Sequence, residues 1–309
     1  MINDNVFYDN LKTSKIIPIY KKRNHEEPLN FGLISILPFL SKVFERILYD
    51  QMNTYLNKNV LLYKYQFGFK QNSNTEMALI YLINKIVSLI EQENVVILIF
   101  LDYRKAFDSI SHINLINKLN RHFNFSSDAC LLLLSYLTGR KQYVLVNNSQ
   151  STTKEIKYGV PQGSILGLIL FNMYINDLHR VLSHSLLLQF ADDTVLITYS
   201  KNLTDTLRKV NEDLDNIYKY CARNELYLNA MKCKSLIINN KEEPPADDSI
   251  STNGYPLETV SEYKYLGYLI DSKLTFSNQV THIINKISYC NSILSRIIFF
   301  IHKNIVVSY

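Results

Sequence analysis

Phe190-Ala191-Asp192-Asp193 is the stretch that decides the fold, because it places two adjacent carboxylates between two short apolar runs. Leu186-Leu187-Leu188-Gln189 precedes it and Thr194-Val195-Leu196-Ile197 follows it, and both runs are rich in residues that favour strands. The segment therefore predicts a β-hairpin with an acidic tip. Two like charges about 4 Å apart repel by roughly 4 kcal/mol at an effective dielectric near 20, so a bound Mg²⁺ or Mn²⁺ would stabilise such a tip.

A second acidic position follows the continuous apolar run from Asn94 to Leu101, which is typical of a strand covered on both faces. Asp102 ends this run. If the strand neighbours the hairpin, Asp102 meets Asp192 and Asp193, and the three carboxylates can hold two metal ions about 3.5–4 Å apart, as in nucleotidyl transfer. Taken alone, an Asp-Asp pair is more often a solvated turn, so the prediction depends on the segment between the two acidic sites.

That segment contains a glycine-rich turn, Gly159-Val160-Pro161-Gln162-Gly163-Ser164-Ile165-Leu166-Gly167, between a strand-like run at 153–158 and an apolar run that reaches Ile175. Glycine lets the backbone approach a ligand closely, and Ser164 is a candidate N-cap. A glycine-rich turn at the start of a helix can receive phosphates or a nucleotide, although many strand-to-helix turns look similar.

In order, residues 100–108, 159–167 and 190–193 resemble motifs A, B and C of reverse transcriptases, and the likeness is closest to non-LTR (LINE-type) retrotransposons of the jockey kind. The resemblance extends from about residue 11 to about residue 285. Further segments resemble the N-terminal fingers, motif D and the primer grip of that family; they are Ile17–Lys22, Ile34–Glu45, Gln66–Phe69, Gly139–Gln142, Leu228–Lys232 and Tyr265–Gly267.

The resemblance implies an α+β fold, a right-hand polymerase palm and fingers with a truncated thumb. Residues 1–93 would form fingers and an N-terminal extension, 94–285 the palm with inserted fingers segments, and 286–309 the start of a thumb or connection. Since no endonuclease segment is recognised, we expect a fragment of a longer element polypeptide.

The resemblance also implies roles for individual residues. The catalytic carboxylates would be Asp102, Asp192 and Asp193, and the metal ligands would be the same three residues with the Tyr103 carbonyl. Five residues would bind the nucleotide: Arg104, Phe107 as steric gate, Gln162, Gly163 and Lys232 as candidate general acid. Four would contact primer or template: Gly267, Lys21, Lys22 and Arg140. Asp108 would have a supporting hydrogen-bonding role and would not bind metal.

Each role has a plainer alternative: Phe107 as ordinary core, Lys232 as a solvated lysine, Gln162 as a partner of a loop carbonyl. The sequence also departs from the family pattern. Gly32 and Leu33 stand where an arginine and a proline are usual, and Leu168 and Phe190 replace a proline and a tyrosine. A lost guanidinium contact costs about 1.5–3 kcal/mol, so these departures bear on turnover more than on fold.

The implied function is an RNA-directed DNA polymerase that extends a primer 3′-hydroxyl along an RNA template, using deoxynucleoside triphosphates and two Mg²⁺ ions, with Mn²⁺ as a substitute. In the family the primer is nicked genomic DNA. The alternatives are a catalytically inactive, nucleic-acid-binding remnant, a two-metal nuclease or transposase, and a relative of group II intron maturases or telomerase.

Composition is compatible with this interpretation. The 309 residues are 47% hydrophobic and carry a formal net charge of +5, a weak indication of a nucleic-acid partner. Cysteines 130, 221, 233 and 290 are far apart, which predicts neither a zinc site nor disulfides. Reduced thiols, the absence of a signal peptide and the absence of a long apolar run predict an intracellular, non-secreted protein without a membrane contact, nuclear when it acts on genomic DNA.

Periodicity and capping signals predict the main elements. Helices are expected at 40–55, 75–91, 112–123, 127–137, 164–178 and 203–224. Strands are expected at 94–101, 141–146, 153–158, 235–238 and 263–270, beside the acidic hairpin, with a polar loop at 241–254.

Overall fold

The computed structural model describes residues 1–2, 4–20, 30–238 and 249–297. Lys21 and Lys22, expected to contact nucleic acid, lie outside these ranges, as do most of the predicted loop at 241–254 and the last part of the expected thumb segment.

Six of the seven α-helices of the described part agree with the periodic patterns of the sequence, and the last, α7, was not among those expected. The seven are α1 Phe39–Lys58, α2 Thr75–Glu91, α3 His112–Phe123, α4 Ser127–Leu137, α5 Ile165–Tyr174, α6 Leu203–Arg223 and α7 Ser277–Ile297. The N-cap of α2 is Asn74, whose side chain accepts from the Met77 amide. Only α5 is clearly shorter than expected, and a 3-10 turn follows it at Leu178–Val181.

The strands of the described part belong to two main sheets and two small hairpins. They are β1 Thr13–Tyr20, β2 Phe31–Ile36, β3 Val95–Leu101, β4 Arg140–Val146, β5 Ser149–Gln150, β6 Lys154–Ile156, β7 Leu186–Phe190, β8 Asp193–Ser200, β9 Lys234–Ile238, β10 Ser251–Thr252, β11 Tyr255–Pro256, β12 Glu258–Thr259, β13 Glu262–Tyr265 and β14 Tyr268–Asp271.

The first main sheet has the order β12-β9-β3-β8-β7, so the apolar run expected to be a central strand is one. Every residue of β3 is buried. Ile97 and Ile99 face a core that includes α3, α5 and α6, whereas Leu98 and Phe100 face a second core that includes α2. A strand covered on both faces needs apolar residues at every position, and for that reason the run does not alternate.

The second main sheet joins distant parts of the chain. Its order is β2-β1-β4-β5, with β6 paired to β4, and β1 pairs with β4 in parallel. Strands were expected close to β4 and β6, whereas no strand was expected at β1 or β2. Periodicity within one segment does not reveal a partner more than a hundred residues away.

The expected single strand at 263–270 is wrong, because the chain turns back on itself there. Strands β13 and β14 pair antiparallel, with Tyr263 opposite Ile270. The turn uses Leu266 at φ 47° and Gly267 at φ 91°, both in the left-handed region. Gly267 adopts that region without steric cost, so the glycine permits the reversal.

Candidate active site

The register of β3 and β8 brings the acidic residues together. Leu101 pairs with Thr194, so Asp102, the next residue along β3, comes level with Asp193 at the start of β8. Phe190 pairs with Asp193, and Ala191 and Asp192 form the tip of the predicted hairpin. The three aspartates, from two segments about ninety positions apart, therefore lie at one edge of the central sheet.

The electrostatics of this edge reflect the crowding of like charges. Burial and the neighbouring Asp102 charge raise the pKa of Asp192 above its ordinary value. Burial, then the charges of Asp192 and Asp102, raise the pKa of Asp193 to about 6. Lys232 Nζ lies 4.0 Å from Asp102 Oδ1, at the limit of an ion pair, and its side chain is 69% exposed. Because solvent screens this cation, the carboxylates repel one another with little compensation.

The backbone around Asp102 is fixed by the segment that resembles motif D. Asn229 donates its amide to the Asp102 carbonyl at 2.8 Å, and Arg104 donates its amide to the Tyr227 carbonyl at 2.7 Å. The Tyr103 carbonyl, the expected extra metal ligand, takes part in neither of these two hydrogen bonds. Below the strand end, the Asp102 amide lies 3.3 Å from the buried Cys233 Sγ.

The glycine-rich turn packs between Asp108 and β2. A Cβ on Gly159, which has φ 84°, would lie 2.6 Å from the Asp108 Cα. A Cβ on Gly163, at φ 111°, would lie 2.7 Å from the Ser35 carbonyl oxygen, and the Ser35 amide donates to the Gln162 carbonyl at 2.8 Å. Only glycine permits these approaches. The turn is therefore clamped to the second sheet.

The side chains of this turn have specific partners. Gln162 donates to Asp108 Oδ1 at 3.0 Å, so its partner is a carboxylate and not the loop carbonyl considered above. This bond gives Asp108 the hydrogen-bonding role expected of it. Ser164 caps α5 as predicted, accepting from the Gly167 amide at 2.9 Å.

Phe107 and Arg104 follow Asp102 within five residues along the chain. The Phe107 ring is partly buried, with its centre 4.6 Å from that of Phe171 in α5. Arg104 is exposed. The geometry thus gives Phe107 a fixed ring with one open side, which is compatible both with core packing and with a gate.

An open groove of about 920 Å³ runs between α1, the segment after Gly68 and the glycine-rich turn. Its lining residues are Arg46, Tyr49, Asp50, Asn53, Thr54, Phe69, Lys70, Gln71, Gly163, Ser164, Ile165 and Leu168. Cations, aromatic rings and hydrogen-bonding groups side by side are typical of surfaces that track a nucleic-acid strand.

The expectation that Arg140 contacts nucleic acid disagrees with its burial. Its side chain is 1% exposed, donates to the Tyr136 carbonyl at 2.8 Å and packs over the Tyr136 ring at 4.7 Å. Stacking on aromatic rings offsets the loss of hydration, so the guanidinium stabilises the protein interior. Gly267 remains exposed at its hairpin turn.

Sequence reasoning missed the residues that support the hairpin from beneath. Gln66 accepts a hydrogen bond from the Ala191 amide, and Gly68 and Asn172 complete the contact. The stretch Gln66–Phe69 had been noticed only as a likeness, because no local pattern reports which distant backbone a buried glutamine binds.

The donor set fits a hard divalent cation. Carboxylates and carbonyls are the ligands that Mg²⁺ and Mn²⁺ prefer. The pKa values of Asp192 and Asp193 are raised in part by repulsion from neighbouring aspartates, which a bound cation would relieve. In the described ranges no group of three His, Cys, Asp or Glu side chains is placed so that it could hold a metal ion, and this includes Asp102, Asp192 and Asp193. The usual environment of Mg²⁺ is one or two carboxylates with water and substrate phosphates.

Comparison with known proteins agrees with this geometry. The protein family described as reverse transcriptase (RNA-dependent DNA polymerase) matches residues 20–270. The chain belongs to the reverse transcriptase family. This match confirms the resemblance to reverse transcriptases that motifs A, B and C indicated. Members of the family use divalent metal ions.

Relatives of this reverse transcriptase come from mobile elements of Drosophila melanogaster. The RNA-directed DNA polymerase from mobile element jockey is 30% identical over 280 residues, which cover 88% of this chain and 30% of the relative. The probable RNA-directed DNA polymerase from transposon BS is 31% identical over 86% of this chain and 30% of the relative. The chain therefore spans about a third of the length of these curated relatives.

Solved structures confirm the fold of the reverse transcriptase. Apo telomerase from Candida tropicalis, truncated from its C-terminal domain, aligns with a TM-score of 0.57 at 16% identity, covering 88% of this chain and 55% of that one. Telomerase from the same organism, in complex with a fragment of telomeric RNA, aligns with a TM-score of 0.58 at 15% identity, covering 86% and 44%. In the described part of the chain no helix is long and apolar enough to cross a membrane.

Proposed function

We propose that this chain is the polymerase region of a non-LTR retrotransposon protein, which extends a primer 3′-hydroxyl along an RNA template. The observation that carries the proposal is the β3–β8 register, which aligns Asp102 with the Asp192-Asp193 hairpin. A two-metal nuclease shares the carboxylates, but it gives no reason for the clamped glycine-rich turn between the acidic segments.

Asp102 and Asp192, with the Tyr103 carbonyl, would hold Mg²⁺ at this edge. When bound, such ions activate the attacking hydroxyl and neutralise charge on the leaving pyrophosphate. The repulsion that raises the pKa of Asp192 supports the assignment, since a cation removes it. Asp193 would contribute negative charge beside Asp102 and Asp192.

The nucleotide would lie over the glycine-rich turn. Gln162 and Gly163 would line its pocket, with Gln162 oriented by Asp108. Arg104 is exposed beside Asp102 and would meet phosphate, and Lys232 is near enough to Asp102 to deliver a proton to pyrophosphate. The open side of the Phe107 ring would exclude a ribose 2′-hydroxyl.

The partners would be an RNA template in the groove beside α1, a DNA primer near the Gly267 turn and deoxynucleoside triphosphates. Telomerase, which has the same fold, has been solved with an RNA fragment, and this supports the choice of template. If the primer is nicked genomic DNA, the protein acts in the nucleus.

Primer extension on an RNA template in Mg²⁺ tests the proposal. Asp192→Asn is expected to abolish extension and to keep the wild-type circular dichroism spectrum. Asp215→Asn, which alters an exposed aspartate of α6 away from the site, should extend normally. In the same assay Phe107→Val is expected to incorporate ribonucleotides.

Two results would overturn the proposal or redirect it. Extension by Asp192→Asn at the wild-type rate would refute the catalytic assignment. RNA binding without extension by the wild type, not rescued by Gly32→Arg, would favour the inactive nucleic-acid-binding fragment, since Gly32 lies in β2 where the family has an arginine.

A further inference from the structure

The backbone at the tip of the acidic hairpin has an unusual conformation. Ala191 has φ 57°, in the left-handed region that non-glycine residues rarely adopt, and it is buried. Asp192 and Asp193 follow it directly, so the conformation of Ala191 sets the direction in which both carboxylates leave the sheet. Such a conformation persists only when surrounding contacts hold it.

The contact that holds it comes from Gln66. This side chain is 2% exposed, and its Oε1 accepts from the Ala191 amide at 3.0 Å and from the Gly68 amide at 2.9 Å. Two amide donors meet the same atom, and this fixes that atom as the oxygen of the glutamine. Gln66 thus satisfies the amide of Ala191, a buried donor at the tip of the hairpin.

The segment carrying Gln66 is itself fixed against β7. The Phe67 amide donates to the Gln189 carbonyl at 2.8 Å, and the Gln189 amide donates to the Tyr65 carbonyl at 3.0 Å. Gly68 then passes so close to the tip that a Cβ would lie 2.2 Å from the Ala191 nitrogen. Buried Asn172 of α5 donates to the Gly68 carbonyl at 2.7 Å and locks the approach.

We propose that Gln66 is a positioning residue of the reverse transcriptase, which holds the hairpin tip so that Asp192 can take up a divalent cation. The inference rests on the proposed function, because it gives Asp192 that task. Gln66 touches neither substrate nor metal and acts through the Ala191 amide, with Gly68 and Asn172 as its support.

Gln189 provides a matched control. It is a second fully buried glutamine, it pairs with Gln66 across the isolated bridge, and in the described part of the chain its side-chain amide has no hydrogen-bond partner. Gln66→Met and Gln189→Met therefore make the same chemical change at neighbouring buried sites. Only the first removes a bond to the tip.

The first readout is hydrogen exchange of the Ala191 amide in metal-free protein, which needs no activity. Gln66→Met is expected to speed this exchange about tenfold or more, and Gln189→Met to leave it within about twofold of wild type, since only Gln66 protects that amide. Equal acceleration by both variants, or no acceleration by Gln66→Met, would overturn the proposal.

The second readout is primer extension. Gln66→Met should lower kcat about tenfold or more and raise the Mg²⁺ concentration for half-maximal rate, because a small displacement of Asp192 is amplified in the rate, while KM for the nucleotide stays within about twofold. An equal loss with Gln189→Met would indicate general packing damage and would refute a positioning role.

The wild type keeps the proposal testable if Gln66→Met fails to fold. Its Ala191 amide should exchange as slowly as the amides of β8, whereas the Gly267 amide, in an exposed hairpin turn, should exchange quickly. Fast exchange at Ala191 would refute the role of Gln66. A wild type that protects Ala191 but extends no primer would refute the proposed function and leave the Gln66 contact intact.

Discussion

At the scale of single residues, Asp193 should destabilise the metal-free protein at neutral pH. Its pKa is raised from the ordinary 3.8 to about 6, so the folded protein holds this proton more tightly than the unfolded chain. The stabilising effect of the proton is complete below about pH 4 and is lost as the pH rises through about 6. Asp193→Asn, which mimics the protonated form, should raise the free energy of unfolding by about 1 kcal/mol at pH 7.5, a value reduced because solvent still reaches the side chain.

Urea denaturation in a chelator at several pH values measures this difference. The advantage of Asp193→Asn should vanish below about pH 4, and added Mg²⁺ should narrow it at pH 7.5 because a cation neutralises the wild-type carboxylates. A gain independent of pH would show that the charge of Asp193 is not its cause.

The identity of the three aspartates could be predicted, because each ends or starts an apolar run of the sequence. The burial of Arg140 could not be predicted, since residue type gives charge but not the two aromatic rings, of Phe7 and Tyr136, that surround the guanidinium. The role of Gln66 could not be predicted for the same reason.

At the scale of elements, α5 is held at its start by a residue of another helix. Glu45 of α1 is fully buried, and its Oε2 accepts from the Ile165 amide, the first of α5, at 2.7 Å. Its Oε1 accepts from Ser41 and from Tyr136. A carboxylate at a helix N-terminus satisfies a free donor and interacts favourably with the helix dipole.

Replacing Glu45 should therefore damage the fold. Glu45→Ala is expected to lower the free energy of unfolding by about 3 kcal/mol, because three buried donors lose their acceptor. Glu45→Gln keeps one acceptor oxygen and should lose less. Urea titrations of both variants decide the matter: equal losses would mean that packing volume, and not the hydrogen bonds, accounts for the effect.

The elements also show where prediction stops. Helices α2, α3 and α4 have the bounds expected from capping and periodicity, since those signals are local. The reversal between β13 and β14 was missed because Leu266 and Gly267 interrupt a run that otherwise has strand composition. Strands β1 and β2 pair with each other and were missed all the same, because the neighbour that joins them to the rest of the sheet, β4, is distant in sequence. The proposed division of the chain at residues 93 and 285 stays a prediction.

At the scale of the whole molecule, the second main sheet meets the glycine-rich turn where the Ser35 amide donates to the Gln162 carbonyl. The groove beside α1 opens next to this junction and presents Arg46 and Lys70. Its walls come from three segments separated along the chain, so no single stretch of sequence predicts it.

Arg46→Ala and Lys70→Ala should each weaken binding of an RNA oligonucleotide. Each should also reduce the slope of log affinity against log salt concentration by about 1, because each cation that meets a phosphate releases a counterion. Fluorescence anisotropy at several KCl concentrations measures the slope. Arg223→Ala, at the exposed end of α6, is the control and should leave the slope unchanged. Unaltered slopes for the first two variants would place the template elsewhere.

The parallel pairing of β1 with β4 has a consequence for synthesis on the ribosome. Strand β1 ends at Tyr20, and its partner residues Lys141 to Val144 are translated more than a hundred residues later. At about 5–20 residues per second, this edge of β1 stays without its β4 neighbour for on the order of ten seconds. During this interval chaperones and other nascent chains can reach the edge, so a contact that forms late protects an edge that is made early.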